Sequence, residues 1–249
     1  MTEKIVEVKN LQKSFGAVKA TDDLSFDIEK GHIHALIGPN GAGKTSFVNQ
    51  LCGDFLPDAG SILYKGRDIT RMKGYKRAKI GIARSFQITH IFDNLTVAEN
   101  MGLALCAGNG NSFRFFRHWT KSSAVKHSLS DALSRVDLLN RADFPAAHLS
   151  HGEKRQLEVG MALSCQPELL VMDEPMAGMG AGGTVELSKL IKKLKGQTTI
   201  LLVEHDMDVI FSLADKITVL VYGKNIATGT VEEIRNNPEV IKAYLGEEN

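Results

Sequence analysis

Short apolar runs, separated by polar or glycine-containing turns, set the pattern of the first third of the chain. Runs at residues 4–9, 24–29, 33–37 and 61–64 predict β-strands, and the run at 82–87 predicts one more. The opening of the chain is therefore expected to be rich in strands.

From about residue 97 to residue 165 the pattern is mainly that of helices, with a glycine- and asparagine-rich connector at 108–112. After Pro167 strand and helix patterns alternate, with strands at 169–172, 199–203 and 217–221 and helices at 185–194 and 207–213. This alternation is typical of an α/β fold with a parallel sheet. We predict a single domain, 1–249, in which the α/β core is interrupted by a helical subdomain at about 88–165.

A glycine-rich turn follows the strand at 33–37 and precedes residues 46–51, which lack glycine and proline and predict a helix. The turn reads GPNGAGKT and fits the pattern G-x-x-x-x-G-K-[ST], in which backbone N–H groups surround phosphates at the positive end of a helix dipole. In this pattern Lys44 reaches the β and γ phosphates, and the Thr45 hydroxyl helps to hold Mg²⁺. The candidate nucleotide-binding residues are Gly38, Pro39, Asn40, Gly41, Ala42, Gly43, Lys44, Thr45 and Ser46. The alternative is a glycine-rich turn that binds no ligand.

Two successive carboxylates end the apolar run at 169–172. Asp173 and Glu174 come at the carboxyl end of a predicted buried strand, where open α/β sheets bind ligands. Asp173 is a candidate Mg²⁺ ligand, and Glu174 is the candidate general base that polarises the water attacking the γ-phosphate. Alone, Asp-Glu-Pro is also an ordinary strand-end turn. Together with the phosphate loop, it predicts hydrolysis of a nucleoside triphosphate.

The composition narrows the class of protein. The chain has 30 Lys and Arg against 29 Asp and Glu, and this balance argues against a dedicated nucleic-acid binder. Cys52, Cys106 and Cys165 show no C-x-x-C spacing, which indicates neither a disulfide framework nor a zinc site and favours a reducing cytosol. No apolar run approaches the roughly 20 residues that span a bilayer, so we expect any membrane role to belong to a partner.

Two other clusters leave alternatives open. The segment Phe113–Trp119 mixes aromatic and cationic residues, and it fits a packed helix or loop, nucleic-acid stacking or contact with a lipid surface. His32 and His34 alternate onto one face of a predicted strand, where packing or an exposed edge is favoured over a pair around a metal. We predict no metal other than Mg²⁺.

A further segment, Leu149–Gln156, reads LSHGEKRQ and lies shortly before the acidic strand end. It resembles the signature motif of the ATP-binding cassette proteins. Gln87 in RSFQ matches their glutamine loop, and His205 in VEHD matches their switch histidine. Phe15 or Val18 stands where the family packs a side chain on adenine. The resemblance covers essentially the whole chain.

The resemblance implies a phosphate-loop α/β fold whose mixed, largely parallel sheet carries an antiparallel β subdomain and an inserted helical subdomain. It implies an ATPase of which two copies close head to tail on ATP and Mg²⁺. The signature residues that would face the nucleotide of the other copy are Ser150, His151, Gly152 and Glu153. Ser150 would offer its hydroxyl, and Gly152 would let a helix N-terminus approach the γ-phosphate.

The resemblance also implies how the catalytic centre is completed. His205 would contact the γ-phosphate and hold the attacking water in line with Glu174. Gln87 would join the catalytic residues, and its amide would reach the Mg²⁺ shell together with Thr45 and Asp173.

Three residues depart from the usual motifs. His151 stands where glycine is commonest and Glu153 where glutamine is commonest. A carboxylate facing phosphates repels them unless it turns away or pairs with Lys154 or Arg155. Gly180 stands where the family often has an aspartate that bridges the dimer. We expect ATP binding and hydrolysis to persist, with weaker coupling between the two sites.

The segments at 87–92, 204–210 and 234–246 resemble the ATPases of branched-chain amino acid importers and of relatives that carry urea, amides and other small polar solutes. This implies a peripheral subunit on the cytoplasmic face of the inner membrane, in a homodimer or in a heterodimer with a sister ATPase. The implied partners are two integral-membrane permease subunits and, indirectly, a periplasmic solute-binding protein, with no nucleic acid. The alternatives are the ATPase of a lipopolysaccharide-type exporter and a soluble cassette ATPase outside transport.

Overall fold

The computed structural model describes residues 3–85, 91–108 and 123–245, so Gln87 and the segment Phe113–Trp119 lie outside the described residues. The strands are β1 Lys4–Phe15, β2 Val18–Glu29, β3 Ile33–Ile37, β4 Ala59–Tyr64, β5 Arg67–Asp68, β6 Ile82–Ser85, β7 Leu169–Asp173, β8 Thr199–Val203, β9 Lys216–Val221 and β10 Lys224–Gly229. The helices are α1 Lys44–Cys52, α2 Gly74–Lys79, α3 Val97–Gly108, α4 Ser123–Arg135, α5 His151–Leu163, α6 Ala181–Leu194, α7 Met207–Leu213, α8 Val231–Arg235 and α9 Pro238–Leu245.

The strands form two sheets. An antiparallel sheet has the order β2-β1-β4-β5, and a six-stranded sheet has the order β10-β9-β3-β8-β7-β6. Strands β9, β3, β8 and β7 run parallel, and β10 is antiparallel to β9. Every residue of β3, β7 and β8 is buried, as expected of central strands covered on both faces. The predicted α/β fold with an additional antiparallel sheet is confirmed.

Contacts divide the chain into two compact units. The first comprises Met1–Ile82, Glu168–Glu174 and Leu194–Asn249, and the second comprises Ala83–Pro167 and Pro175–Lys193. In the first unit, Phe47 of α1 packs among buried residues of both sheets, including Val171 and Leu201. In the second unit, α3, α4 and α5 pack together. The second unit extends past the 88–165 subdomain predicted from the sequence, because it also takes in most of α6.

The hairpin of β1 and β2 is longer than predicted, since each strand has 12 residues instead of the predicted runs at 4–9 and 24–29. The pairing register shifts between Val8 and Leu11, and polar residues at the shift break the alternation on which the prediction rested. Asn10 lies there with a φ of 48° and is fixed by its backbone N–H donating to Ser25 Oγ at 2.8 Å.

Other boundaries also differ from the prediction. Helix α1 begins at Lys44, two positions before the predicted start, because the phosphate loop turns directly into the helix. Helix α6 begins at Ala181 and not at 185. His32 precedes β3, so it does not share a strand face with His34, which is fully buried with Nε2 2.8 Å from Thr218 Oγ1. Strand β10 and helices α8 and α9 were not predicted. Within the described residues, no helix has both the length and the apolar character needed to cross a bilayer.

Candidate nucleotide-binding site

Three buried strands bring the predicted residues of the first unit to one edge of the six-stranded sheet. Strand β8 lies between β3 and β7, with Val203 paired to Leu36 on one side and to Asp173 on the other. Because the carboxyl ends of parallel strands meet at the same edge, β3 leads into the phosphate loop where β7 presents Asp173 and Glu174. Strand β8 leads into His205 at the same edge.

Two glycines of the phosphate loop lie against backbone where no side chain fits. A Cβ at Gly38 would stand 2.2 Å from Leu220 O, and a Cβ at Gly43 would stand 2.1 Å from Ala20 O. Gly43 also has a φ of 102°, and it forms the N-cap of α1. The loop therefore packs tightly against β2 and β9 behind it, and its exposed residues, including Asn40 and Gly41, face away from that contact.

The phosphate loop is also hydrogen-bonded to the turn between β9 and β10. Gly223 N donates to Ala42 O at 2.8 Å, and Asp22 N donates to Gly223 O at 2.9 Å. The first bond fixes the phosphate loop to the β9–β10 turn, and the second fixes that turn to β2. No sequence motif marks this contact, since it joins backbone groups far apart in the chain.

Lys44 is folded back onto the loop. Its Nζ donates to Gly38 O at 2.6 Å and to Pro39 O at 3.0 Å, and the residue is only 8% exposed. Burial lowers the pKa of Lys44, while the nearby carboxylates of Glu174 and Asp173 oppose that shift. The buried ammonium is thus hydrogen-bonded to two neutral carbonyls and stabilised by two carboxylates nearby.

The start of α1 leaves amides without a partner inside the helix. Its first backbone bond runs from Phe47 N to Gly43 O at 2.9 Å, so the N–H groups of Lys44, Thr45 and Ser46 precede the hydrogen-bonded helix. The first turn, all of it described, contains no acidic residue. The helix dipole therefore favours an anion at this end.

The two carboxylates at the end of β7 differ in environment. Asp173 is 2% exposed, whereas Glu174 is half-buried. Glu174 has a φ of +50°, and its N–H donates to Val203 O at 2.8 Å. A non-glycine residue held in the left-handed region by such a bond is typical of strained functional positions.

His205 projects from the end of β8, and its side chain is 67% exposed. Its backbone N–H donates to Glu204 Oε2 at 3.2 Å, and the same oxygen lies 3.7 Å from His205 Nδ1. Glu204 itself is 1% exposed. Sequence reasoning did not assign a role to Glu204, although a carboxylate directly after the buried strand β8 was a visible signal.

Phe15 and Val18 flank the turn of the β1–β2 hairpin and are 51% and 67% exposed. Phe15 meets Phe55 edge to face at 5.4 Å between ring centroids, and Lys13 Nζ lies 5.4 Å from the Phe15 centroid. Of these two residues, Phe15 therefore offers an aromatic ring, supported by Phe55, on which a base could stack.

The predicted signature residues lie in the second unit, at the start of α5. Ser150 is the exposed N-cap, and it forms a capping box with Glu153. Glu153 N donates to Ser150 Oγ at 3.2 Å, and Ser150 N donates to Glu153 Oε2 at 2.9 Å. His151 is exposed at the first helical position.

The cationic partner of Glu153 is Arg141, whose Nε donates to Glu153 Oε1 at 2.9 Å. From the sequence, Glu153 was expected either to turn away from the phosphates or to pair with Lys154 or Arg155. In the structure Lys154 pairs with Asp93 and Arg155 pairs with Glu158. Burial alone would raise the pKa of Glu153, but the hydrogen bonds from Ser150 and Arg141 outweigh it and hold the pKa below its usual range.

Gly152 is turned toward α6 within the second unit. A Cβ at Gly152 would lie 3.4 Å from the Gly183 Cα and 3.5 Å from Met179 Cε. Gly152 therefore has a packing role that the motif alone does not reveal. Gly180 is exposed, with open space around its Cα.

Comparison with known proteins places these features in a family. The ABC transporter family model matches residues 21–177, and the model of the branched-chain amino acid ATP-binding cassette transporter matches residues 224–249. The high-affinity branched-chain amino acid transport ATP-binding protein LivG of Salmonella typhimurium is 38% identical over 256 residues, covering 99% of this chain and 100% of LivG. The corresponding BraF of Pseudomonas aeruginosa is 37% identical over 256 residues, with the same coverage of both chains.

Solved structures agree with this assignment. An ATP-binding cassette of an ABC transporter in its ADP conformation has a TM-score of 0.85 and 28% identity, covering 98% of this chain and 100% of the other. A nucleotide-free cassette from an ABC transporter has a TM-score of 0.81 and 30% identity, covering 97% and 98%.

Proposed function

The chain belongs to the ATP-binding cassette family of transporter ATPases, and on that premise we propose that it is the ATP-hydrolysing subunit of an importer. The solute proposed is a branched-chain amino acid or a related small polar compound. The observation that carries the proposal is the convergence of the phosphate loop, Asp173, Glu174 and His205 at one edge of a parallel sheet.

The phosphate loop is proposed to bind the triphosphate of ATP. The amides at the start of α1 and the glycine-lined loop would surround the phosphates, and Lys44 would exchange its two loop carbonyls for β- and γ-phosphate oxygens. This exchange would replace two neutral hydrogen-bond acceptors of Lys44 with charged ones. Phe15, backed by Phe55, is the better candidate than Val18 for stacking on adenine.

Glu174 is proposed as the general base. Its backbone is held directly after Asp173 with a φ of +50°, and the charges of both carboxylates act on Lys44. Glu174 would accept a proton from the attacking water, while the exposed imidazole of His205 would hold that water and the γ-phosphate in line. Glu204 would orient the His205 ring through its backbone and side-chain contacts. Gln87, which the resemblance adds to these groups, stays a prediction.

Thr45 and Asp173 are proposed to hold Mg²⁺. Their hydroxyl and carboxylate oxygens are the donors that this ion prefers. A site with few protein ligands fits Mg²⁺, which takes much of its shell from water and nucleotide phosphate. Bound there, Mg²⁺ would neutralise charge on the β- and γ-phosphates.

Ser150, His151, Gly152 and Glu153 are proposed to meet the nucleotide of a second copy or of a sister ATPase. The exposed Ser150 hydroxyl and the N-terminus of α5 support this role, since both suit a phosphate. Closure would then depend on the γ-phosphate, and hydrolysis would release the two subunits. That movement would drive two separate permease subunits in the membrane, with a periplasmic binding protein supplying the solute.

The C-terminal match at 224–249 favours branched-chain amino acid import over lipopolysaccharide export. LivG and BraF, which match over nearly the whole chain, are both named as branched-chain amino acid transport proteins. The chain would lie on the cytoplasmic face of the membrane as a peripheral subunit.

The test is to purify the chain with its permease subunits and measure ATPase activity with and without Mg²⁺. The expected result is Mg²⁺-dependent hydrolysis that rises when the binding protein is loaded with leucine, isoleucine or valine. If urea or an amide stimulates hydrolysis instead, the proposed solute class is wrong, but the proposed function as an importer ATPase still holds. Absence of Mg²⁺-dependent hydrolysis in the complete complex would contradict the proposal.

A further inference from the structure

Glu153 poses an electrostatic problem for the signature helix. Its carboxylate lies at the N-terminus of α5, beside the Ser150 hydroxyl that is proposed to meet a γ-phosphate. A negative side chain at this place stabilises the helix but repels a second anion. Glutamine would complete the same capping box without charge, so the carboxylate needs a compensating group.

Arg141 supplies that group. Its Nε donates to Glu153 Oε1 at 2.9 Å, while the other carboxylate oxygen, Oε2, accepts from Ser150 N at 2.9 Å. The two oxygens of one carboxylate are thus divided between the cation and the cap. The exposed fractions of the Arg141 and Glu153 side chains are 42% and 22%, so the pair is partly shielded from solvent.

The position of Arg141 is fixed by its surroundings. It ends the short 3₁₀ helix Leu139–Arg141, and its guanidinium carbon lies 4.9 Å from the centroid of the Phe144 ring. Backbone bonds tie the following segment to the start of α3, from Val97 N to Phe144 O and from Ala98 N to Ala142 O, each 2.9 Å. Arg141 therefore reaches Glu153 from an anchored turn.

The two cations that directly follow Glu153 on α5 are engaged elsewhere. Lys154 Nζ lies 3.0 Å from Asp93 Oδ1, and Arg155 Nη1 lies 2.8 Å from Glu158 Oε2. The first of these is a surface contact, and the second points along α5 away from the cap. Among the described residues, Arg141 is the cation paired with Glu153.

We infer that Arg141 is a positioning residue for the reaction, because its guanidinium holds Glu153 in the capping box and cancels the charge that would repel the nucleotide of the other copy. Arg141 does not itself touch the nucleotide in this assignment. It acts through Glu153 on the Ser150 hydroxyl and on the N-terminus of α5. The inference rests on the proposed function, since it needs the signature of one copy to meet ATP on another.

The test is a double-mutant cycle in a parent protein that carries Glu174→Gln. Sedimentation velocity measures the fraction of dimer in each variant across a series of ATP concentrations. Arg141→Gln is expected to raise the ATP concentration at half-dimerisation about tenfold, and Glu153→Gln alone to change it less than threefold. The double variant Arg141→Gln/Glu153→Gln is expected to match Glu153→Gln within twofold, since the uncompensated charge is gone. In the Glu174 protein, Arg141→Gln is expected to raise KM for ATP more than it lowers kcat.

The matched control is Lys65→Gln, which removes one cation from an exposed pair with Glu168 in the first unit. It is expected to change the midpoint less than twofold. If Arg141→Gln does not fold, Arg141→Lys replaces it, with a smaller loss of about threefold that Glu153→Gln again removes.

The outcomes separate the two claims. A parent that stays monomeric at saturating ATP overturns both the dimeric function and the role of Arg141. A parent that dimerises while Arg141→Gln behaves like the control overturns the role of Arg141 alone. An Arg141→Gln defect that persists in the Glu153→Gln background also overturns it, because Arg141 would then act by packing on Phe144.

Discussion

The glycine at the N-cap of α1 offers a direct test of how the phosphate loop is held. Replacing Gly43 with alanine would place a methyl group 2.1 Å from Ala20 O, in a residue whose φ is 102°. The left-handed conformation costs about 1–2 kcal/mol for a residue with a Cβ. Relief of the overlap requires β2 or the loop to move, which costs about 1–3 kcal/mol. We expect Gly43→Ala to lower the free energy of unfolding by about 3 kcal/mol.

Gly41→Ala is the matched control in the same loop. Gly41 has a φ of 77°, but a Cβ there would meet no heavy atom within 4 Å. Only the conformational term applies, so the expected loss is about 1 kcal/mol.

Thermal unfolding of the nucleotide-free protein compares the two variants with the parent. For a chain of this length each kcal/mol corresponds to roughly 2–4 °C, so Tm is expected to fall by roughly 6–12 °C for Gly43→Ala and roughly 2–4 °C for Gly41→Ala. Equal losses in the two variants would refute the claim that backbone packing against β2 fixes the loop.

The remaining predictions concern charge and protonation. Lys44→Ala is expected to weaken ATP binding about 100-fold in calorimetric titration, because charge-assisted bonds to phosphate are lost, and unchanged affinity would contradict its role. Glu174→Gln is expected to slow hydrolysis about 100-fold or more with ATP affinity changed less than threefold, and normal turnover would remove Glu174 as the base. Burial, and after it repulsion from Lys216, lowers the pKa of His34 from the ordinary histidine value of about 6.5 to about 3. Between the two pKa values the His34 imidazole is protonated in the unfolded chain but neutral in the folded protein. The free energy of unfolding is therefore highest above about pH 6.5, and it falls by up to about 1.4 kcal/mol per pH unit as the pH drops from about 6.5 toward about 3. His34→Gln should remove that slope in urea unfolding at about pH 7 and pH 5, and an unchanged slope would show that other groups cause it.

The parallel core and the phosphate loop could be predicted because their signals are local. Strands β3, β7 and β8 are continuous apolar runs, and the residues that follow each of them carry the chemistry. The register shift near Asn10 could not be predicted, since it depends on a side-chain bond to a strand 15 positions away. The backbone hydrogen bond from Gly223 to Ala42 could not be predicted either, because backbone amides carry no sequence signal.

The signature segment shows the same division. The motif implied a helix N-terminus at this segment, and Ser150 is the N-cap of α5, with the spacing to Glu153 of a capping box. The sequence left open whether Glu153 turns away from the phosphates or pairs with Lys154 or Arg155 on the same helix. Arg141 lies 12 positions away, and only tertiary structure brings it to the carboxylate.

The most direct test of the account is a crystal structure of Glu174→Gln grown with Mg²⁺ and ATP. The expected result is a head-to-tail dimer in which each triphosphate lies between the phosphate loop of one copy and Ser150 of the other. A nucleotide bound to Lys44 in a crystal where Ser150 of every neighbouring copy lies far from it would contradict the account.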